Sequence, residues 1–377
     1  MSEIHVCIAT GQNAANLIPI KQLGAQEVLI LETPTMKGLH SGQDLQDALR
    51  PHVPTIKRIN FDDSSPASIH AEALKLAEKL DSRKVVLHVT GGTKLMVLAI
   101  HQELSLLNTG TGSYRALYAD TQNQTLDWLG DKPDQEPMQD VLSLQDLILL
   151  RGYRTTNDTR PGKDQKRAAP RSAVSRHMGE QAAALGRFFS TLAYKALQAS
   201  ESGQLSQQFD YPPGGPAAKL LSLAAKNGLL QWSAGDANIA FSDQECARFF
   251  AGGWTEEYLF LKMTGLLKPG QYALNAKIIQ NRTKTENELD AIAVKNNRVL
   301  IVECKSGKQQ AAQDSIYKLG QVVRQVGGLM SKGLYVSAQA VSEADRRRAA
   351  EYGIDVLAAD ELQDTNQYLR HWANPKS

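Results

Sequence analysis

The segment Glu288–Lys305 constrains this chain more than any other. It reads Glu-Leu-Asp-Ala-Ile-Ala-Val-Lys-Asn-Asn-Arg-Val-Leu-Ile-Val-Glu-Cys-Lys. Two runs rich in β-branched residues flank Asn296-Asn297, a pair that tolerates the positive φ of a two-residue hairpin turn. Folding there sets Lys295 opposite Arg298, Val294 opposite Val299, Ile292 opposite Ile301 and Asp290 opposite Glu303. Opposite residues share a face, with Cβ atoms about 4.5–5.5 Å apart. Lys305 lies two residues past Glu303 and shares that face. Glu288 falls across from Lys305. Ala291, Ala293, Leu300, Val302 and Cys304 make the other face apolar. One face is therefore expected to pack on a core, and the charged face to line a cleft.

Two carboxylates held side by side repel unless a cation sits between them. Carboxylate oxygens suit Mg²⁺ or Mn²⁺. Such an ion activates water and stabilises charge on a phosphoryl oxygen. A neighbouring lysine orients the nucleophile or neutralises developing charge. Either acid alone fits an exposed hairpin with an ordinary salt bridge. The pair across a hairpin, backed by an apolar face, points to metal-assisted hydrolysis.

With Asp290, a short hairpin and Glu303-Cys304-Lys305, the segment resembles the PD-(D/E)xK nuclease signature, with Leu289 in place of the usual proline. That resemblance implies Asp290 and Glu303 as metal ligands and Lys305 as the catalytic lysine. It also implies a third acid on a preceding helix. The stretch Gly252-Gly253-Trp254-Thr255-Glu256-Glu257 supplies it. The role falls on Glu256, with Glu257 as the alternative. Around the hairpin the pattern predicts a helix over Trp254–Leu266, a strand over Leu274–Gln280, a helix over Ala311–Val326, a strand over Gly333–Ser337, a helix over Glu343–Tyr352 and a strand over Gly353–Leu357. This α-β-β-β-α-β order matches a restriction-endonuclease core. Lys308, Lys318 and Arg324 are candidates for phosphate contacts, or ordinary surface charges.

At 377 residues the chain has room for two domains and a small third. A net charge of +2 leaves any nucleic-acid surface to local patches. No apolar run approaches the roughly 20 residues of a membrane span, and no signal-peptide pattern opens the sequence. Cys7, Cys246 and Cys304 are scattered and odd in number, as in reduced, cytoplasmic proteins. No Cys/His group has zinc spacing, and none of the eight histidines takes a ligand role.

The N-terminal part alternates strands and helices. Strands are predicted over Ile4–Ala9, Glu27–Leu31, Thr55–Asn60, Val85–Thr90 and Tyr114–Ala119, with helices over Asn13–Leu23, Gly42–Leu49, Ser68–Leu80 and Lys94–Leu107. That alternation predicts a Rossmann-like parallel sheet covered on both faces, with ligands at the carboxyl ends of its strands. Two strand ends carry polar, glycine-bearing turns: Thr10-Gly11-Gln12-Asn13 and Thr90-Gly91-Gly92-Thr93-Lys94. Free N–H groups at a helix start bind phosphate, and glycines let a ligand approach the backbone. The spacing is neither a P-loop nor a dinucleotide fingerprint. Alone, the second turn also fits a plain strand-to-helix cap.

Thr-Gly-Gly-Thr-Lys-x-Met here, with Gly-Gln-Asn after the first strand, resembles the CRISPR-associated Rossmann-fold (CARF) sensor domains over residues 1–150. The resemblance implies a homodimer that binds a cyclic oligoadenylate, with Gln12, Asn13, Thr90, Gly91, Gly92, Thr93 and Lys94 lining the ligand.

Between the two ends lies a connector, residues 151–250. Arg151–Arg176 carries eight Lys/Arg against two acids, with Pro161, Gly162 and Pro170. It is expected to be an extended, mobile linker, either drawn to a nucleic-acid backbone or merely solvated. Helices over Gln181–Leu197 and Lys219–Lys226 and a hairpin of Leu229–Trp232 with Asn238–Phe241 give it a winged-helix-like outline. Trp232 and Phe241 read as core residues.

The whole order, sensor at residues 1–150 and nuclease at 251–377, resembles the Can/Card group of type III CRISPR ancillary nucleases. That implies a metal-dependent endonuclease acting on DNA or RNA and activated by cyclic tetra-adenylate. Two other readings fit parts of the chain: a nucleotide-responsive transcription regulator with an inactive nuclease domain, and a ring nuclease that degrades its own ligand.

Overall fold

A computed structural model describes residues 3–109, 112–130, 134–306, 312–328 and 330–374. The chain divides into two compact units. The first comprises Met1–Arg154 with Gln280–Thr285 and Gly328–Met330; the second comprises Thr155–Ile279, Glu286–Gly327 and Ser331–Ser377.

The first unit alternates strands and helices through β1 (Glu3–Ile8), α1 (Ala14–Gln22), β2 (Glu27–Glu32), α2 (Pro34–Gly38), α3 (Ser41–Leu49), β3 (Thr55–Asn60), α4 (Pro66–Lys79), β4 (Lys84–His88), α5 (Lys94–Ser105) and β5 (Ser113–Asp120). β6 (Thr125–Leu129), β7 (Asp134–Pro137) and α6 (Leu144–Leu150) follow. The sheet order is β3-β2-β1-β4-β5-β6-β7. β1 to β5 pair in parallel. The apolar runs of β1, β2 and β4 are buried because helices cover both faces, whereas the edge strand β3 is largely exposed. Ile4, Val6, Ile8, Leu29, Leu31, Val85 and Leu87 pack against Ile69, Ala73, Leu76, Met96, Ile100 and Leu104 of α4 and α5. β6 and β7 add an antiparallel extension that the strand pattern does not predict, since Thr125–Leu129 alternates over only five residues. The order reverses between β1 and β4, so their carboxyl ends frame a switch-point crevice.

After β8 (Tyr153–Thr155), where the chain passes from the first unit to the second, the second unit holds α7 (Pro161–Ala168), α8 (Ser172–Glu180), α9 (Ala182–Ser202), β9 (Ser206–Gln208), α10 (Gly215–Lys226), β10 (Leu230–Gln231), β11 (Asn238–Phe241), α11 (Gln244–Arg248) and α12 (Trp254–Thr264). It continues with β12 (Tyr272–Gln280), β13 (Glu286–Lys295), β14 (Arg298–Lys305), α13 (Ala312–Val322), β15 (Ser331–Ser337), α14 (Glu343–Glu351), β16 (Ile354–Ala358) and α15 (Thr365–Ala373). Within this unit the main sheet runs β16-β15-β14-β13-β12, and β10-β11-β9 form a small second sheet. β12, β13 and β14 are antiparallel, whereas β14, β15 and β16 are parallel.

The basic stretch departs from the extended linker expected of it. Pro161–Ala168 and Ser172–Glu180 are helices, and Arg171 is only 6 % exposed. The charges are tolerated because carboxylates meet them. Arg171 Nη2 lies 2.5 Å from Glu257, and Arg167 pairs with Glu257 at 3.4 Å and with Asp164 at 3.1 Å. The connector also lacks a core of its own. Val174, Phe189, Leu220 and Ile239 join Trp254, Tyr258, Leu300, Val302 and Leu369 in one cluster. Helix α10 and the β10–β11 hairpin keep the winged-helix outline, with Phe241 inside that cluster and Trp232 packed against it.

Candidate functional sites

The hairpin turns at Asn296 and Asn297, whose φ values are 48° and 58°. β13 and β14 pair from Lys295–Arg298 through Val294–Val299 and Ile292–Ile301 to Ala291–Val302. Ala291, Ala293, Leu300, Val302 and Cys304 face the core cluster. On the other face, Asp290 and Glu303 line a cavity of about 350 Å³, walled by Lys318, Gln321 and Gln325 of and beyond α13. Asp290 Oδ2 accepts the Cys304 N–H at 2.7 Å. Lys305 forms an ion pair with Glu303. Burial pulls the Lys305 ammonium down, but Glu303 and Asp290 more than offset this and hold it above its ordinary value. Glu288 lines the cavity too, facing Lys277 of β12 at 4.0 Å.

The two glutamates that open α12 part company. Glu257 is 3 % exposed and gripped by Arg171 and Arg167, so it braces the connector. Glu256 turns toward the hairpin, within hydrogen-bonding reach of the Asn275 side chain and in the field of Asp290. Burial is the main cause that pushes Glu256 up to about 7, opposed by the Asn275 amide and Arg167 and aided by Asp290 and Glu288. Burial also pushes Asp290 up to about 6, with Glu303 adding repulsion while the Cys304 N–H and Lys305 oppose it. Asn275 itself has no signal in the sequence beyond a polar residue inside an apolar strand.

Among the described residues no three Asp, Glu, His or Cys side chains form a ready-made metal cage. The donor chemistry nevertheless fits a hard divalent cation. Asp290, Glu303 and Glu256 offer only oxygens. Burial and mutual repulsion leave Asp290 and Glu256 short of positive charge. Among the other basic candidates, Lys318 lines the cavity. Arg324 instead lies over the Tyr352 ring at 5.5 Å, and Lys308 lies outside the described residues.

A second cavity, of about 380 Å³, opens at the switch point of the first unit. Ile8, Thr10, Gly11, Gly92, Thr93 and Met96 line it, together with Thr33, Thr35, Met36 and Asp63. The last four follow the ends of β2 and β3, and strand-end position was the one signal that could have found them. Thr93 Oγ1 caps α5 by accepting the Met96 N–H at 3.3 Å. Gly92 has φ of 84°, and a Cβ there would stand 2.6 Å from Ile8 Cδ1.

The other residues singled out by sequence sit around this cavity rather than in its lining. A Cβ on Gly91 would stand 2.6 Å from the Ile8 carbonyl oxygen, so this glycine permits close packing of two strand ends. Thr90 Oγ1 accepts the Ala119 N–H at 2.7 Å. Asn13 is buried; its Nδ2 donates to the Ser41 carbonyl at 2.8 Å and its Oδ1 accepts the Thr10 N–H at 3.0 Å. Gln12 and Lys94 are exposed.

Residues 4–147 match the family described as the Card1 CARF domain, and residues 243–375 match the Card1-like endonuclease domain. Can2 from Sulfobacillus thermosulfidooxidans, solved in complex with cyclic tetra-adenylate, is similar at 21 % identity over 99 % of each chain, with a TM-score of 0.78. Protein VC1899 from Vibrio cholerae is similar at 22 % identity over 98 % of this chain and 97 % of that one, with a TM-score of 0.83. A type III CRISPR defence DNA nuclease activated by cyclic oligoadenylate is 15 % identical over 97 % of this chain and 52 % of its own, with a TM-score of 0.57. No curated protein matches the sequence.

Proposed function

From a chain that carries a Card1 CARF domain and a Card1-like endonuclease domain, we propose a metal-dependent phosphodiesterase switched on by cyclic tetra-adenylate, acting on DNA or RNA in type III CRISPR defence. One observation carries the reading: Asp290 and Glu303 share a cavity, Lys305 is bonded to Glu303, and Glu256 lies in the field of Asp290. Asp290, Glu303 and Glu256 would hold Mg²⁺ or Mn²⁺. That ion would supply an activated water and charge stabilisation at the scissile phosphate. Lys305 orients the water and offsets charge on the phosphoryl oxygens. Lys318, on the cavity wall, attracts the nucleic-acid backbone.

The sensor reading rests on the switch-point cavity. Its floor is the N-terminus of α5, where free N–H groups favour a phosphate. Gly92 and Thr93 meet the ligand, Lys94 and Gln12 reach it from the rim, and Asn13, Thr90 and Gly91 keep the two turns in shape. Can2 was solved with cyclic tetra-adenylate, and a cyclic tetranucleotide has the two-fold symmetry to bridge two copies. A homodimer is supported by the exposed Leu95 and Leu98 on α5, 57 % and 63 % accessible. The ligand activates by binding the cleavage-competent arrangement more tightly than the resting one. Three free, buried cysteines suit the cytoplasm, and among the described residues no helix is long and apolar enough to cross a membrane.

The test is cleavage of supercoiled DNA and of RNA with Mn²⁺, with and without each cyclic oligoadenylate. Cyclic tetra-adenylate is expected to stimulate cleavage in the wild type. Glu303→Ala is expected to abolish cleavage and to leave cyclic tetra-adenylate affinity unchanged. Cleavage by Glu303→Ala at the wild-type rate sinks the site assignment. Disappearance of the cyclic nucleotide itself during the assay would favour a ring nuclease.

A further inference from the structure

A residue in the middle of β12 breaks the rules of its strand. Asn275 has φ of 47°, in the left-handed region. The other described non-glycine residues with positive φ, such as Ser82, Lys284 and Asn296, lie at turns and helix ends. Asn275 alone among them lies inside a strand. β12 and β13 keep a continuous register on either side, Leu274 with Ala291 and Ala276 with Leu289. Asn275 is thus the residue across from Asp290. A regular strand conformation would hold its side chain perpendicular to the sheet. The left-handed backbone breaks that rule next to α12, where the Asn275 amide is close enough to the Glu256 carboxyl to favour its ionised form.

The distortion is held from outside the hairpin. Asn157 Nδ2 donates to the Asn275 carbonyl at 2.7 Å, and Asn157 Oδ1 accepts the Lys277 N–H at 2.9 Å. The Thr156 N–H adds a bond to the Lys277 carbonyl at 2.8 Å. One side-chain amide therefore straddles the kink and satisfies the backbone groups that a straight neighbouring strand would have paired. Backbone strain held this firmly clusters where function needs a fixed geometry. Asparagine suits it on two counts: it tolerates the left-handed region, and its amide can bond a carboxylate.

We propose that Asn275 is a positioning residue of the nuclease site: clamped by Asn157, it aims the Glu256 carboxylate at Asp290 so that the acids meet a divalent cation in one geometry. This rests on the metal-dependent reading above. Side chains that orient a metal-binding group typically contribute 10- to 100-fold in metal affinity.

Asn275→Gly keeps the left-handed backbone accessible and deletes only the amide, so the fold survives. The full-length protein is titrated with Mn²⁺ by calorimetry without nucleic acid, and cleavage is then followed across Mn²⁺ concentrations. Asn275→Gly is expected to weaken Mn²⁺ binding by about 10- to 100-fold, to keep cyclic tetra-adenylate affinity, and to recover cleavage at high Mn²⁺. Asn157→Ala, which loosens the same backbone, is expected to shift the Mn²⁺ requirement in the same direction. Wild-type Mn²⁺ affinity in both variants overturns the proposal. If Glu303→Ala also leaves Mn²⁺ binding intact, the metal-site reading itself fails; if Glu303→Ala abolishes it, only the role of Asn275 does.

Discussion

Adjacent glutamates at the start of α12 are expected to respond to the same substitution with opposite signs. Glu256 is half-buried, the pull of Arg167 does not offset its loss of solvent, and its folded-state value is about 7 against an ordinary 4.5. Between those two values the folded chain keeps a proton that the unfolded chain has released. Stability therefore falls as pH rises from about 4.5 to about 7, and the full loss persists above that window. At about 1.36 kcal/mol per pH unit, the ionised carboxylate costs the metal-free protein about 3 kcal/mol at pH 8. Glu256→Gln removes the charge and keeps a partner for Asn275. It is expected to raise the melting temperature of the second unit by roughly 6–12 °C at pH 8, to change little at pH 4.5, and to abolish cleavage. Burial pushes Glu257 up to about 7 as well, against the pull of Arg171 and Arg167, but Glu257→Gln leaves the buried Arg171 guanidinium without the carboxylate 2.5 Å away, and that unpaired charge is expected to destabilise by about 3 kcal/mol at the same pH. The assay is thermal unfolding in chelator at several pH values. A Glu256→Gln variant no more stable than wild type at pH 8, or with a gain independent of pH, refutes the placement of Glu256 in an uncompensated acidic cluster.

Three further outcomes are expected. Calorimetric Mn²⁺ affinity should rise with pH between about 5.5 and 7.5, because protons compete for Asp290 and Glu256, which titrate near 6 and 7; a flat profile would remove these groups from the ligand set. Lys94→Ala should weaken cyclic tetra-adenylate binding roughly 10-fold, the worth of one charge-assisted hydrogen bond, while Mn²⁺ binding is untouched; unchanged nucleotide affinity makes the lysine a surface charge. Gly92→Ala should destabilise the first unit by about 1–3 kcal/mol, since φ is 84° and the new Cβ meets Ile8 at 2.6 Å; an unchanged melting temperature would show that Ile8 yields freely.

The hairpin was legible because every level of the sequence agreed there. Two asparagines took the positive φ, the alternation assigned both faces, and the pairing of Lys295 with Arg298 carried the register to Ala291 and Val302. The parallel core of the first unit was legible for the same reason: β1, β2 and β4 are apolar runs, each followed by a helical pattern. What sequence hid depended on distant partners. Nothing local to Glu256-Glu257 tells which side chain faces the hairpin. Arg171, far earlier in the chain, decides it by claiming Glu257. The same ion pair explains why a stretch with eight basic residues folds into helices instead of staying solvated.

That dependence ties the connector to the chemistry. Asn157 holds the backbone of Asn275, and Arg167 and Arg171 hold Glu257, so residues ahead of the endonuclease match at 243–375 set the pose of the helix and strand around the acidic cluster. Val174, Phe189 and Leu220 pack in one core with Leu300 and Val302 of the hairpin. A fragment beginning at residue 243 would expose that core and leave Glu257 without its guanidinium partners. The smallest piece able to cleave is therefore expected to begin before Asn157, and the connector is part of the nuclease rather than a tether to it.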